Sequence, residues 1–381
     1  MRNKDARASA TRPRRHQRSA DTIARISLAF RAALLLAAMG LALASGIARA
    51  QAMPKTVIDE DCSAFAVSQN NQIVCSVPQQ KTKKKLTIER DDIWVVSSSG
   101  SKKKILEGEK FMPLIPPTTY VIESLAWSPD NKKIAVSMTI EPLSDDEDEP
   151  AEGKKAILLL DEDGTEIHVA GLKTRFIEGG IRATWLADDQ SVVYLSPGPP
   201  YEIHRVRPAD GKFETLFDGK TVDALQWNAK RNEAYVVETS LSVMGKQQLA
   251  ALDLLHESVR EITRLPDYDG ELSVSESGRH IGYFADGDTL EVRDVAHPFR
   301  PIRVNAGKGR FEWSADETRV LLKRGPEDRS GDLVWVGLKD GSFTPLLHDL
   351  EFHDFKIAPD GRSIVLAQVG KRSLMVYELG K

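Results

Sequence analysis

The sequence predicts an all-β fold, a seven-bladed β-propeller of four-stranded antiparallel blades, from three observations. One hairpin pattern recurs seven times at a mean spacing of about 48 residues, and apolar runs ending in tight turns follow the copies. The last copy ends one strand short, while a spare strand precedes the first.

The hairpin copies read AFAVSQNNQIVCSV (64–77), LAWSPDNKKIAVSM (125–138), ATWLADDQSVVYLS (183–196), LQWNAKRNEAYVVE (225–238), LSVSESGRHIGYFA (272–285), FEWSADETRVLLKR (311–324) and FKIAPDGRSIVLAQ (355–368). Each is an apolar strand, a polar turn and a second apolar strand. The residue before the turn is Val67, Trp127, Trp185, Trp227, Val274, Trp313 or Ile357, with gaps of 60, 58, 42, 47, 39 and 44. Two residues earlier stand Phe65, Leu125, Ala183, Leu225, Leu272, Phe311 and Phe355. Period-2 alternation makes these core positions.

Third strands follow as ILLLDEDG (157–164), IHRVRPADG (203–211) and LVWVGLKDG (333–341), with fourth strands such as EIHVAG (166–171) and FTPLL (343–347). Asp-Gly between alternating apolar residues is a strong hairpin signal. The final copy stops after MVYELGK (375–381), so the strand at Lys55–Asp59 is expected to complete the last blade and remove an open edge.

The turns Trp127-Ser128-Pro129-Asp130, Trp313-Ser314-Ala315-Asp316 and Ala358-Pro359-Asp360-Gly361 resemble the WD-like repeat of TolB-type periplasmic propellers, which also underlies the propellers of prolyl oligopeptidase-type peptidases. The resemblance covers nearly all of residues 51–381 and implies a propeller alone. The chain has no room for the TolB N-terminal domain and no G-x-S-x-G nucleophile turn.

Residues 1–50 read as a signal peptide. Eight arginines precede the uncharged run AALLLAAMGLALA (32–44), and the small-x-small site Ala48-Arg49-Ala50 follows. The run is short for a membrane span. Cleavage near Ala50 would leave residues 51–381 as the propeller, periplasmic or secreted, with no membrane span. Of the chain's 52 Lys/Arg and 56 Asp/Glu, ten and two fall in residues 1–50, leaving 42 basic against 54 acidic side chains. So acidic a body argues against nucleic-acid binding, which needs clustered Lys/Arg. Cys62 and Cys75 sit on partner strands offset by about three residues and are open to either a disulfide or two buried thiols.

Chain direction places the strand starts and second-to-third loops on one face and the tight turns on the other. The first face collects the basic loop Lys81–Lys85, the connection Pro113–Pro117, the acidic insertion Asp145–Glu149, the SPGPP loop (196–200) and Gly325–Gly331. Three and four residues before the Trp-type position stand Glu123, Arg182, Asp223, Glu271, Arg310, His353 and Asp354, ionisable groups converging on a funnel mouth. They either pair with one another or face water. Arg182 and Arg310 are the candidates to hold an acidic group. His348, Asp349, His353 and Asp354 lack a recognised metal spacing, and no cofactor motif is present.

The expectation is a monomeric binding module that holds a protein or peptide partner through its loop-rich face and funnel. The alternative is a metal-dependent lyase or hydrolase working through His353 and Asp354.

Overall fold

In the computed structural model the repeats fold as antiparallel sheets around one axis. The structure describes residues 55–379 except 84–85, 112–117, 143–152, 199, 220, 241–245, 266–267, 308, 326–329 and 369–372. The signal-peptide expectation for residues 1–50 lies outside the described residues.

Blade one contains β2 (Ala64–Val67), β3 (Ile73–Lys83), β4 (Leu86–Val96) and β5 (Lys102–Leu106). A helical turn, α1 (Gly108–Phe111), leads to blade two: β6 (Thr118–Trp127), β7 (Lys133–Pro142), β8 (Lys154–Asp161) and β9 (Ile177–Glu178). Blade three is β10 (Ile181–Trp185), β11 (Val192–Ser196), β12 (Tyr201–Arg207) and β13 (Lys212–Gly219). Blade four is β14 (Ala224–Asn228), β15 (Glu233–Ser240), β16 (Lys246–Asp253) and β17 (Ser258–Leu265). Blade five is β18 (Ser273–Val274), β19 (His280–Ala285), β20 (Thr289–Asp294) and β21 (His297–Asn305). Blade six is β22 (Phe311–Trp313), β23 (Arg319–Arg324), β24 (Ser330–Gly337) and the first part of β25 (Phe343–Ile357). The rest of β25 is the inner strand of blade seven, followed by β26 (Ser363–Gln368), β27 (Ser373–Glu378) and, from the other end of the chain, β1 (Lys55–Ile58).

β1 pairs antiparallel with β27, Lys55 opposite Val376 and Ile58 opposite Leu374, so the N-terminal strand closes the last blade. Ile58, 3% exposed, packs with Phe65, Cys75, Val365 and Leu374, joining blades seven and one. The segment EIHVAG (166–171) is not the fourth strand of blade two. It makes one bridge, Leu160 to Glu166, and Ala170 N–H then turns away to the Pro208 carbonyl of blade three at 2.9 Å, leaving the outer position to β9.

Each blade buries both faces, which is why second strands such as β11 (VVYLS) and β26 (SIVLAQ) are apolar over four or more residues in a row. In β11, Val192 and Tyr194 join the cluster shared with blade two, and Val193 and Leu195 the cluster shared with blade four. The core therefore lies between blades. Phe65, Leu125, Ala183, Leu225, Leu272, Phe311 and Phe355 are all buried, as the alternation requires. Trp127 and Trp185 sit inside interblade clusters, and Trp227 and Trp313 are packed against them.

The tight-turn face is tied blade to blade. Asn71, Asn131, Asp189, Asn232 and Glu317 hold equivalent turn positions with φ of 63°, 61°, 55°, 52° and 53°, and glycine fills the place at Gly278 and Gly361. Asn and Asp tolerate this left-handed conformation better than most residues. Their side chains then reach the neighbouring blade. Asn131 Oδ1 accepts from Gln69 N–H (2.7 Å), Asp189 Oδ1 from Asp130 N–H (2.8 Å), Asn232 Oδ1 from Ala187 N–H (2.9 Å) and Glu317 Oε1 from Ser277 N–H (2.7 Å). Asn71 Nδ2 donates to Asp360 Oδ2 at 2.8 Å, between blades one and seven.

Cys62 and Cys75 form a disulfide with Cα atoms 5.9 Å apart. Cys75 lies opposite Phe65 in the ladder, so the three-residue offset is present. Cys62 precedes β2 and folds back over it.

Candidate functional site

Opposite the tight turns, the inner strands enter the sheets irregularly. Pairing shifts register between Ile122 and Ser124, Ile181 and Thr184, and Phe352 and Asp354, around Glu123, Arg182 and His353. Such bulges re-aim side chains. Arg182 and Glu271, at matching positions three residues before Trp185 and Val274, have φ of 51° and 50°. Neither is a residue type that favours this region, and such strain concentrates at binding and catalytic sites. Trp227 Nε1 of the next blade donates to the Arg182 carbonyl at 2.6 Å and holds that backbone in place.

The seven expected mouth residues divide by partner. Arg310 Nη1 meets Asp354 Oδ1 at 2.8 Å. Glu123 pairs with Lys155 within blade two, and Asp223 accepts from Thr239 and Gln247 within blade four. One inner-strand step deeper, Lys356 Nζ binds Glu312 Oε1 at 2.5 Å. His353 is exposed. Arg182 has no carboxylate within 4.0 Å among the described residues, and Glu271 has no ion-pair partner there.

A cavity of about 260 Å³ runs along the inner strands of blades four to seven, from Glu271 and Arg310 past Glu312 and Lys356 to Ser314 and Pro359 in the tight turns. Glu271 is exposed, yet the protein crowded round it removes part of its hydration and pushes its carboxyl above the usual range. Arg310 opposes that rise, while Glu312 adds to it. Sequence reasoning passed over Tyr268, whose phenol is pushed up to about 12 by burial and then by the charges of Glu271 and Asp223. It stays a neutral donor at ordinary pH. A ring standing alone in the connection between blades four and five carried no repeat signal.

A second site, of which the sequence reading had named only the basic loop beginning at Lys81, lies on the same face of blade one. The extended hairpin of β3 and β4, with the connection through α1, encloses about 690 Å³ lined by Lys81, Arg90, Asp92, Lys104, Glu107 and Glu109. Arg90 and Asp92 in its wall belong to a buried charged run whose third member, Asp91, is buried beside them. Asp91 Oδ2 accepts from Ser76 Oγ (2.7 Å) and Ile122 N–H (2.8 Å), Asp92 from Gly108 N–H (2.8 Å) and Lys104 Nζ (2.5 Å), and Arg90 Nε donates to the Thr118 carbonyl (3.0 Å). Burial drives the Asp91 carboxyl up against those hydrogen bonds. The available signal was Glu89-Arg90-Asp91-Asp92, four charges inside an otherwise apolar strand.

Among the described residues no group of three or more His, Cys, Asp or Glu side chains is disposed to hold a metal ion. His348 instead lies 3.4 Å from Asp332, and the Asp354 carboxylate is taken by Arg310 and by Phe355 N–H. Lys84, Lys85, Pro113–Pro117 and Asp145–Glu149 lie outside the described residues, as do parts of the SPGPP and Gly325–Gly331 loops. No described helix is long and apolar enough to cross a membrane.

No protein-family model and no curated protein sequence matches the chain. Among solved structures it is similar to the β-propeller domain of Cps50 (Swd1) from Myceliophteria thermophila, with a TM-score of 0.56 and 11% identity, over 86% of this chain and 99% of that one. At that identity the likeness establishes the fold alone. A β-propeller is commonly a protein-binding scaffold.

Proposed function

We propose that the protein is an exported, TolB-like binding module, periplasmic or secreted and monomeric, that holds a protein or peptide partner on the funnel face. The asymmetry of the two faces carries this reading. The tight-turn face spends its polar side chains on interblade hydrogen bonds, whereas the funnel face leaves Arg182, in a strained backbone conformation, without a carboxylate partner among the described residues and carries a pocket on blade one. Rigid scaffolds present recognition groups in this way. Arg182 takes an acidic group of the partner, and Arg310, held by Asp354, lines the entrance.

The test is crosslinking in intact cells with a photoreactive residue at position 353, on the funnel face, or at 132, in a tight turn. Capture of one partner from 353 and not from 132, weakened by Arg182→Ala, is expected. Equal capture from both positions would overturn the assignment of the face. Export is checked separately, by the compartment and the N-terminal residue of the mature chain.

A further inference from the structure

The outer edge of blade five carries Phe299, the most exposed large apolar side chain among the described residues at 86%. Pairing of β20 with β21 runs from Thr289↔Asn305 to Val292↔Ile302 and resumes at Asp294↔His297, so β21 loops out three extra residues within Pro298-Phe299-Arg300-Pro301. This bulge is fastened from beneath. Arg293 donates through Nη1 to the Pro298 carbonyl (2.9 Å) and to Thr263 Oγ1 of β17 (3.1 Å), and through Nε to Glu291 Oε1 (2.6 Å). Glu291, fully buried, also accepts from Tyr283 and, at 2.7 Å, from Arg303. Burying a carboxylate and a guanidinium is a costly way to shape a surface loop, and what the network displays is a bare aromatic ring.

Two features narrow the occupant. Pro298 and Pro301 supply no N–H, so this stretch of edge does not extend the sheet into a partner strand. On the same outer edge, β17 and β21 expose Val259, Ile302, Arg260, Arg264 and Arg300, with Glu261 the exposed acid on these two strands and Arg303 paired to Glu291, in a chain whose residues 51–381 are net acidic. A stable protein interface needs about 800 Å² of fitted surface on each side. A ring standing clear of its neighbours beside Arg300, on an edge that also exposes Arg264, suits a bilayer, which accepts an apolar anchor at headgroup depth and attracts cations when anionic.

We propose that the outer edge of blades four and five docks on an anionic lipid surface, with Phe299 as the inserted anchor and Arg300 as its nearest charge. The full chain is sedimented with phosphatidylcholine vesicles, with and without phosphatidylglycerol. Binding to the anionic vesicles alone is expected, weakened by salt and reduced about fivefold by Phe299→Ala or Arg300→Ala. Phe299→Trp is expected to bind, with blue-shifted emission on adding vesicles. An unchanged unfolding temperature shows that the alanine variants are folded. No binding, equal binding to neutral vesicles, or alanine variants that bind like the parent overturns the proposal. So does capture of a protein from position 299 with no vesicle binding.

Discussion

Trp227 and Arg182 are bound across a blade boundary, the indole N–H of blade four donating at 2.6 Å to the main-chain carbonyl of a left-handed residue in blade three. The blade interface thereby sets the conformation of a mouth residue. Trp227→Phe keeps most of the ring's packing and removes this bond, so stability is expected to fall by about 1 kcal/mol in urea denaturation. Crosslinking from position 353 should weaken as the Arg182 backbone relaxes. Unaltered crosslinking would separate the strain from recognition.

The closing strand makes a larger prediction. Deleting residues 51–60 removes β1, exposes the β27 edge and uncovers the pocket filled by Ile58, a side chain worth about 1.5–3 kcal/mol on burial alone. The unfolding temperature should drop sharply and the protein should aggregate more readily through the open edge. An unchanged unfolding curve would remove β1 from the account of stability.

Asn131 combines a positive φ with an interblade acceptor. Asn131→Gly keeps the conformation and loses the bond, whereas Asn131→Ala loses both. The alanine variant is therefore expected to be the less stable by about 1 kcal/mol, the cost of a left-handed turn for a residue with Cβ. The opposite order in calorimetry would contradict the role given to the turn.

Burial pushes the Glu291 carboxyl up, but hydrogen bonds from Tyr283 and Arg293 and the charges of Arg293 and Arg303 hold it below the usual range. Its contribution is therefore present above the unfolded carboxylate value and is lost as pH falls through the lower folded value. Glu291→Gln strands Arg293 and should cost about 3–5 kcal/mol near neutral pH, with a shallower acid limb in a stability-against-pH curve.

Glu271 has the opposite sign. Its raised carboxyl binds a proton more tightly when folded, so ionisation at neutral pH works against the fold. Glu271→Gln should raise the unfolding temperature at pH 7, a gain that disappears as pH falls below the carboxylate range. A destabilised variant at pH 7 would show that Arg310 or Lys356 outweighs the lost hydration.

The repeat was readable because a blade with two buried faces leaves apolar strands at fixed spacing, and even the left-handed turn position shows as Asn, Asp, Gly or Glu. The expected closing strand at Lys55–Asp59 follows the same logic and falls on β1. The mouth was readable only as a list of charges. Which of them face one another depends on bulges at Glu123, Arg182 and His353, each of which shifts the following residues by a place. Arg310 and Asp354 both belonged to that list, yet their contact arises from neighbouring inner strands, 44 residues apart in sequence. Arg293 and Glu291 resemble ordinary strand charges until β21 folds over them.

The pairing of Lys55 with Val376 also sets an order of events. A chain that lacks either end has an open ring, and bringing such distant segments together costs entropy that shorter hairpins do not. Closure therefore waits for the last strand to be made. A mouth whose rim spans the first and last blades takes its final shape only in the finished molecule, so a partner gripping that rim discriminates complete chains from incomplete ones.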